Sequence, residues 1–301
     1  GADVALRGVR RHRGGVHGRG RVGGVEGVVI VDHCTRWNAR CCRFITPRGA
    51  FDARRYEVAE IADDTTARTF VTEHHYSGTY VAAWRRFGLF ERGELVGVCV
   101  FSVPSRPEVL RPFPTNAAAE LGRLVLLDRV PFNAETFLVS RAADALRGDG
   151  VGGFVMFSDP FARETADGRR VFAGHRGIVY QALRACFLGQ SHADTVHLLP
   201  DGRLFARRAI SKIRLREQGW RYAVEALVTA GARPPFHTGT AAALAEWLDA
   251  ELPRVARKIR HPGNFKYAFA LSAAAANDLP ASLPYPRLPR PTCVAFDRRA
   301  A

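Results

Sequence analysis

The stretch from residue 84 to residue 103 constrains the fold more than any other. Residues 84–91 and 95–103 are runs of aromatic and β-branched side chains around Arg92-Gly93-Glu94, a short glycine-containing connection of the kind that closes a β-hairpin. A tight hairpin commits the chain to antiparallel sheet and excludes a helical bundle. Neighbouring segments extend the pattern. Tyr56 to Ile61 reads as a strand, and residues 66–74 read as a helix capped by Asp64-Thr65. A Pro-rich loop over residues 104–114 leads into a fourth strand, residues 120–127.

The second half of the pattern brings in helices. Asn133 is placed to cap a helix over residues 134–147 that buries Phe137, Leu138, Ala142, Ala145 and Leu146. Residues 152–157 form a continuous apolar run of the fully buried strand type, ending in Ser158-Asp159-Pro160. A polar insertion, residues 161–173, precedes Gly174-His175-Arg176-Gly177 and a helix expected to run through Phe187, followed by a strand near residues 195–199. Residues 203–229 should finish the domain with a helix and a strand. The expected fold class is α/β (α+β): one mixed, mostly antiparallel sheet flanked by helices.

These signals divide the chain into residues 1–50, a Gly/Arg-rich tail (disordered over residues 1–24) and its lead-in; residues 51–230, a catalytic domain; and residues 231–301, a basic helical C-terminal extension. The extension ends in a Pro-rich extended strap from Pro280. Composition adds the nature of the partner. Lys+Arg number 44 against 29 Asp+Glu, a net charge of +15, which favours a polyanion such as DNA. Arg207, Arg208, Arg214 and Arg216 form one candidate nucleic-acid contact, and Arg257, Lys258 and Arg260, in a stretch without acids, form another. No helix-turn-helix, finger or basic-zipper pattern appears, so little sequence specificity is expected. Six scattered cysteines match no disulfide framework, and no run is long enough to span a membrane. The expectation is a reduced, cytoplasmic protein.

Four local motifs are more specific. Glu73-His74-His75-Tyr76-Ser77-Gly78, Glu120-Leu121-Gly122-Arg123-Leu124-Val125-Leu126, Phe157-Ser158-Asp159-Pro160 and Gly174-His175-Arg176-Gly177-Ile178-Val179-Tyr180-Gln181-Ala182 resemble, in order, the Mom family. These are phage proteins that convert adenine in DNA to a carbamoylmethyl form and so protect it from restriction. The resemblance covers about residues 55–200. It implies a GNAT-type N-acyltransferase fold and marks His75, Tyr76, Arg123, Asp159 and Tyr180 as matching functional positions, with Tyr180 in the role of general acid. It departs from the family pattern in the insertion over residues 161–173 and in the basic C-terminal region.

The residues themselves carry further expectations. Glu120 and Arg123, three apart in one strand, would face opposite sides of a regular sheet, so a bulge at Gly122 is needed to bring both to one cleft. Asp159, at the carboxyl end of a buried strand, needs a partner; it either deprotonates an amine or pairs with Arg123, which would lower its pKa. The insertion is expected to bulge outward while its ends keep Asp159 and Tyr180 in one centre. His75 with Asp159 offers two ligands for iron or another divalent metal. A GNAT-type fold would hold the pyrophosphate of acetyl-CoA, or another acyl donor, on backbone N–H groups at Val130, Asn133 and Ala134. Pro131 removes one such donor. Two other readings stay open: a conventional acyl-CoA N-acetyltransferase acting on a small-molecule or protein amine, and a noncatalytic nucleic-acid-binding protein.

Overall fold

A computed structural model describes residues 35–38, 41–44, 50–104, 106–113 and 118–287. The tail expected over residues 1–24 lies outside the described residues, as do residues 288–301. In chain order the elements are β1 (Thr35–Asn38), β2 (Cys41–Phe44), β3 (Tyr56–Glu60), α1 (Asp64–His74), β4 (Ala83–Glu91), β5 (Glu94–Ser102), β6 (Ala118–Leu126) and α2 (Ala134–Gly148). There follow β7 (Gly153–Ser158), β8 (Arg163–Glu164), β9 (Arg170–Phe172), α3 (Ile178–Ala182), β10 (Cys186–Gln190), β11 (Asp194–Leu198) and β12 (Leu204–Phe205). The chain continues through α4 (Arg207–Arg214), α5 (Trp220–Thr229), α6 (Ala241–Val255), β13 (Arg257–His261), β14 (Phe265–Ala270) and α7 (Ala273–Asp278).

The main sheet has the order β10-β14-β7-β6-β5-β4-β3. Every neighbouring pair is antiparallel except β6 and β7, which run parallel. The expected hairpin is present: Glu91 faces Glu94 across Arg92 (φ 52°) and Gly93 (φ 82°), two left-handed residues whose twist matches that of the strands. α1 starts two residues earlier than expected, with the side chain of Asp63 accepting from Thr66 N–H at 2.7 Å. α2 lays Leu138, Val139, Ala142 and Leu146 on one side of the sheet, all fully buried beside Phe101, Phe154 and Met156. Truncating one such leucine to alanine costs about 2–5 kcal/mol. α1 covers the other side, where Ala67, Phe70 and Val71 meet Val98, Val100 and Val125.

Several sequence expectations are corrected. The helix after Gly177 ends at Ala182: Arg184 turns left-handed (φ 57°), Ala185 N–H reaches back to Tyr180 O (3.0 Å), and Cys186–Gln190 pairs as strand β10. Residues 203–229 give the short strand β12 and two helices rather than one, because Gly219 (φ 82°) starts a new helix, α5, whose Ala223, Val224 and Leu227 are buried in one cluster with Leu244 and Leu248 of α6. The C-terminal segment is only partly helical. α6 appears as expected, with Thr240 capping Ala243 N–H, but β13 joins β11, and β14 enters the main sheet between β10 and β7. Phe265 and Tyr267 alternate into the core there, and such alternation stabilises a strand. The strap from Pro280 runs beside β10, where Leu283 N–H donates to Phe187 O (2.9 Å) and Tyr285 donates to Ala185 O (2.9 Å).

Candidate active site

The site lies where β6 and β7 part. The two strands pair in parallel from Ala118↔Gly153 to Leu121↔Met156 and no further. At that point β6 carries the bulge that the Glu120/Arg123 spacing requires. Val100 pairs with Arg123 and Phe101 with Leu121, leaving Gly122 as the extra residue. Only glycine fits, since a Cβ there would stand 2.5 Å from Ser102 Oγ.

Arg123 is held from three sides: Nε donates to Thr79 O (2.9 Å), Nη1 to Gly122 O (2.6 Å) and Nη2 to the Thr79 hydroxyl (2.8 Å). None of these partners is a carboxylate, and burial lowers the pKa of the guanidinium. Glu120 accepts no side-chain hydrogen bond among the described residues. Burial raises its pKa above the usual carboxylate value, against the opposing charges of Arg123 and Lys266.

Asp159 has the opposite environment. Burial alone would raise its pKa, but its carboxylate accepts from His261 Nε2 (3.0 Å) and Phe161 N–H (2.8 Å) and pairs with Arg163 (3.1 Å). The balance holds it below the usual aspartate value. Its partner is therefore Arg163, with His261, and not Arg123. Gly263 N–H donates to His261 Nδ1 (3.0 Å), which places the ring proton on Nε2, the atom facing Asp159.

Arg163 comes from the insertion, which does not bulge away from the site. β8 and β9 pair as a small hairpin and fold inward, because Phe172 (1% exposed) stacks on Tyr76 with ring centroids 4.4 Å apart. The Arg163 guanidinium lies over the Phe172 ring at 4.2 Å. His75, just after α1, packs against Tyr76 (4.3 Å). Its Nδ1 accepts from Ser77 N–H (3.2 Å), so Nε2 carries the proton, and the ring has a donor left to offer rather than a base. Burial, with the charge of Arg123, keeps it neutral well below its ordinary pKa.

The glycines around His175 set the other wall. A Cβ on Gly174 (φ 74°) would stand 2.3 Å from Pro160 O, so the turn closes tightly and His175 N–H donates to Asp159 O (2.7 Å). The His175 ring stands 6.3 Å from Tyr76, 6.1 Å from Phe172 and 6.4 Å from Tyr180. Burial pushes its pKa down to about 4. Tyr180 is buried, donates to Phe157 O (3.3 Å) and packs on Tyr267 (5.4 Å). Burial raises the phenol's pKa, as it does that of Tyr76, to about 12 for the latter. Both hydroxyls stay protonated at neutral pH.

His75, Tyr76, Glu120, Arg123, Asp159 and Tyr180 thus belong to one cluster, linked by direct contact or by mutual electrostatic influence. Sequence reading missed Arg163, Phe172, His175 and His261. His175 lay inside a quoted motif, whereas nothing local marked the others.

One expected function of the site is corrected. Among the described residues no three His, Cys, Asp or Glu side chains stand together to hold a metal, and the Asp159 carboxylate is already engaged by three donors, so iron at His75 and Asp159 is not supported. At the turn before α2 several groups are already committed. Val130 N–H donates to Leu127 O (3.1 Å), Pro131 has no N–H, and Glu135 brings a buried carboxylate into the first helical turn. Arg129 is taken up by Glu91 (2.9 Å) and Glu94 (2.6 Å). Asn133 is left-handed (φ 76°) without a side-chain cap bond, and Val130 and Ala134 pack into the core.

The two candidate nucleic-acid contacts differ. On α4, Arg207 pairs with Asp194 (2.7 Å), Arg208 with Glu217 and Arg214 with Asp249, while Arg216 donates to Thr238 O (2.9 Å). On β13, Arg257, Lys258 and Arg260 are exposed and form no ion pair among the described residues. No helix among the described residues is long and apolar enough to cross a membrane.

Several solved structures resemble this one. A tandem GNAT protein from the clavulanic acid biosynthesis pathway is 10% identical, with 72% of this chain and 99% of that chain covered and a TM-score of 0.38. An IAA acetyltransferase from Bacillus cereus is 12% identical, with 50% and 92% covered and a TM-score of 0.31. The ribosomal-protein-S18-alanine N-acetyltransferase from Escherichia coli is 12% identical, with 50% and 88% covered and a TM-score of 0.34. No curated protein matches the chain at a significant level. The sequence profile of the Mom protein family, in contrast, matches residues 55–286, a span that includes the bulged strand, the inward-folded hairpin, the His175 turn and β14, and the chain belongs to the Mom protein family.

Proposed function

We propose that the protein transfers a small acyl-derived group, of carbamoylmethyl type, to the exocyclic amine of adenine in DNA and thereby protects that DNA from restriction. The observation that carries the chemistry is the pairing of Glu120 with Tyr180. Glu120 is a half-buried carboxylate of raised pKa with no side-chain hydrogen bond, and it lies close enough to Tyr180 to raise the phenol's pKa further. A pair of titratable groups set up in this way divides into a base and an acid.

In the step this pair supports, the amine nitrogen bonds to the electrophilic carbon of the donor as the bond to the leaving group breaks. The nitrogen's proton goes to the Glu120 carboxylate, and the leaving group takes the Tyr180 proton. The two arginines have separate tasks. Arg123, lacking a paired carboxylate, stabilises negative charge that develops at the reacting carbon's substituents, while Arg163 holds Asp159 and the hairpin in place. Adenine N6 is paired in a duplex, so the base must leave the stack, at about a few kcal/mol. Phosphate contacts by the basic surface supply that energy.

The test is expression of the gene, digestion of total DNA to nucleosides and mass spectrometry for a new adenine species. An adenine carrying the added group supports the reading. Unmodified adenine from cells rich in folded protein overturns it.

A further inference from the structure

The outward face of the second, three-stranded sheet has a feature that the catalytic reading leaves unused. The order is β12-β11-β13, so β13 is an edge strand, and cross-strand partners place Lys258 beside His197 and Arg260 beside Thr195 on one face. Lys258 and Arg260 are two residues apart, about 7 Å along a strand, a spacing close to that of neighbouring phosphates on one DNA strand. That face carries no acid. Asp194, the one acid of β11, pairs with Arg207. The same strand ends at His261, whose ring turns to the opposite face and hydrogen-bonds Asp159 at 3.0 Å. The position of the cations relative to the site is therefore fixed by one buried contact, and β14 follows directly into the main sheet.

We propose that the Lys258/Arg260 face of β13 and β11 is the track on which the phosphate backbone of duplex DNA lies beside the site, and that α4 is not. This inference rests on DNA being the acceptor. Phosphate must displace Asp194, Glu217 and Asp249 before it can pair with the α4 arginines, and opening each of these ion pairs has a cost. On β13 nothing has to be displaced. Arg257, at the start of the strand, falls by alternation on the opposite face with His261 and is not part of the track.

The experiment is fluorescence anisotropy of the full chain on a labelled 25-base-pair duplex, at salt concentrations from 50 to 300 mM. The variants are Lys258→Gln/Arg260→Gln, Arg207→Gln/Arg208→Gln/Arg214→Gln, and Thr195→Glu, which adds repulsion to the same face without removing a cation. The β13 double variant should bind more than tenfold more weakly, with its log–log salt slope reduced by about 2, since each lost phosphate contact removes about 0.9. Thr195→Glu should weaken binding at least fivefold, while the α4 triple variant stays within twofold of the parent. Parental affinity in both β13-face variants, or an equal loss in the α4 variant, overturns the track. Absence of salt-dependent binding by the parent overturns the DNA reading itself, a result distinct from retained binding in the variants.

Discussion

Glu120 on β6 and Asp159 just past the end of β7, its parallel neighbour, belong to one cluster, yet their surroundings push their acidities in opposite directions. Asp159 is ringed by donors from three segments: Phe161 N–H from its own turn, Arg163 from the β8–β9 hairpin and His261 from β13. Glu120 is half-buried and accepts no side-chain hydrogen bond among the described residues. A carboxylate with three partners is a poor base and a good anchor, while one that lacks partners and is desolvated is the better base. The number of donors separates the two roles.

The first test of this contrast is Glu120→Gln. The amide keeps the shape of the side chain and removes the proton acceptor, so the initial rate of adenine modification should fall about 10²–10⁴-fold, with folding intact by circular dichroism. A variant at the parental rate would move the base to another group. Asp159→Asn should act chiefly on stability. It leaves the Arg163 guanidinium, only 7% exposed, without its counter-charge, and breaking a buried pair costs about 3–5 kcal/mol. For a chain of this size that lowers the melting temperature by about 6–15 °C. An unchanged melting temperature would show that Asp159 is not the anchor of the three segments.

Tyr180→Phe gives a smaller effect. The ring stays packed on Tyr267, and the hydroxyl's bond to Phe157 O is worth about 1 kcal/mol. Loss of the proton donor should lower the rate about 10²-fold. The pH profile should keep its acidic limb, which reports Glu120: activity rises with pH as that carboxylate loses its proton. If the acidic limb disappears with Tyr180, the limb belonged to a coupled pair and the division into base and acid is too simple.

Local pattern carried much of this arrangement. The β4–β5 hairpin, the span of α2 and the need for a bulge at Gly122 all follow from residues within a few positions of one another. The break between α3 and β10 did not follow, because Arg184 takes a left-handed conformation that a sequence marks only when glycine or asparagine stands there. β14 was hidden for a different reason. Its partners on β7 lie more than a hundred residues earlier, and the basic, Pro-flanked stretch before it reads as an appendage. Asp159 was legible as a carboxylate in need of a partner, but the partner was not. Arg123 was the cation nearest in the motif pattern, whereas Arg163 reaches Asp159 only because Phe172 folds the hairpin onto Tyr76, and His261 only because β13 pairs with β11.

The smallest effect expected from the contrast is in how stability depends on pH. Asp159 has a folded pKa below its unfolded value of about 3.9, so the folded state releases its proton more readily, and the resulting stability is complete above that value and lost as pH falls through the folded pKa. Glu120 has the opposite sign. Its folded pKa lies above the unfolded value of about 4.3, so the folded state binds the proton more tightly, and stability declines as pH rises from there through the raised folded value. Glu120→Gln removes that decline. Its melting temperature should equal the parent's near pH 4 and exceed it at pH 7. The deficit of Asp159→Asn should be greatest at pH 7 and shrink below pH 4. Thermal melts of the three proteins between pH 3 and pH 7 distinguish the signs. Parallel curves for Glu120→Gln and the parent would mean that Glu120 is solvated in the folded protein, and the case for it as the base would then fall together with the contrast.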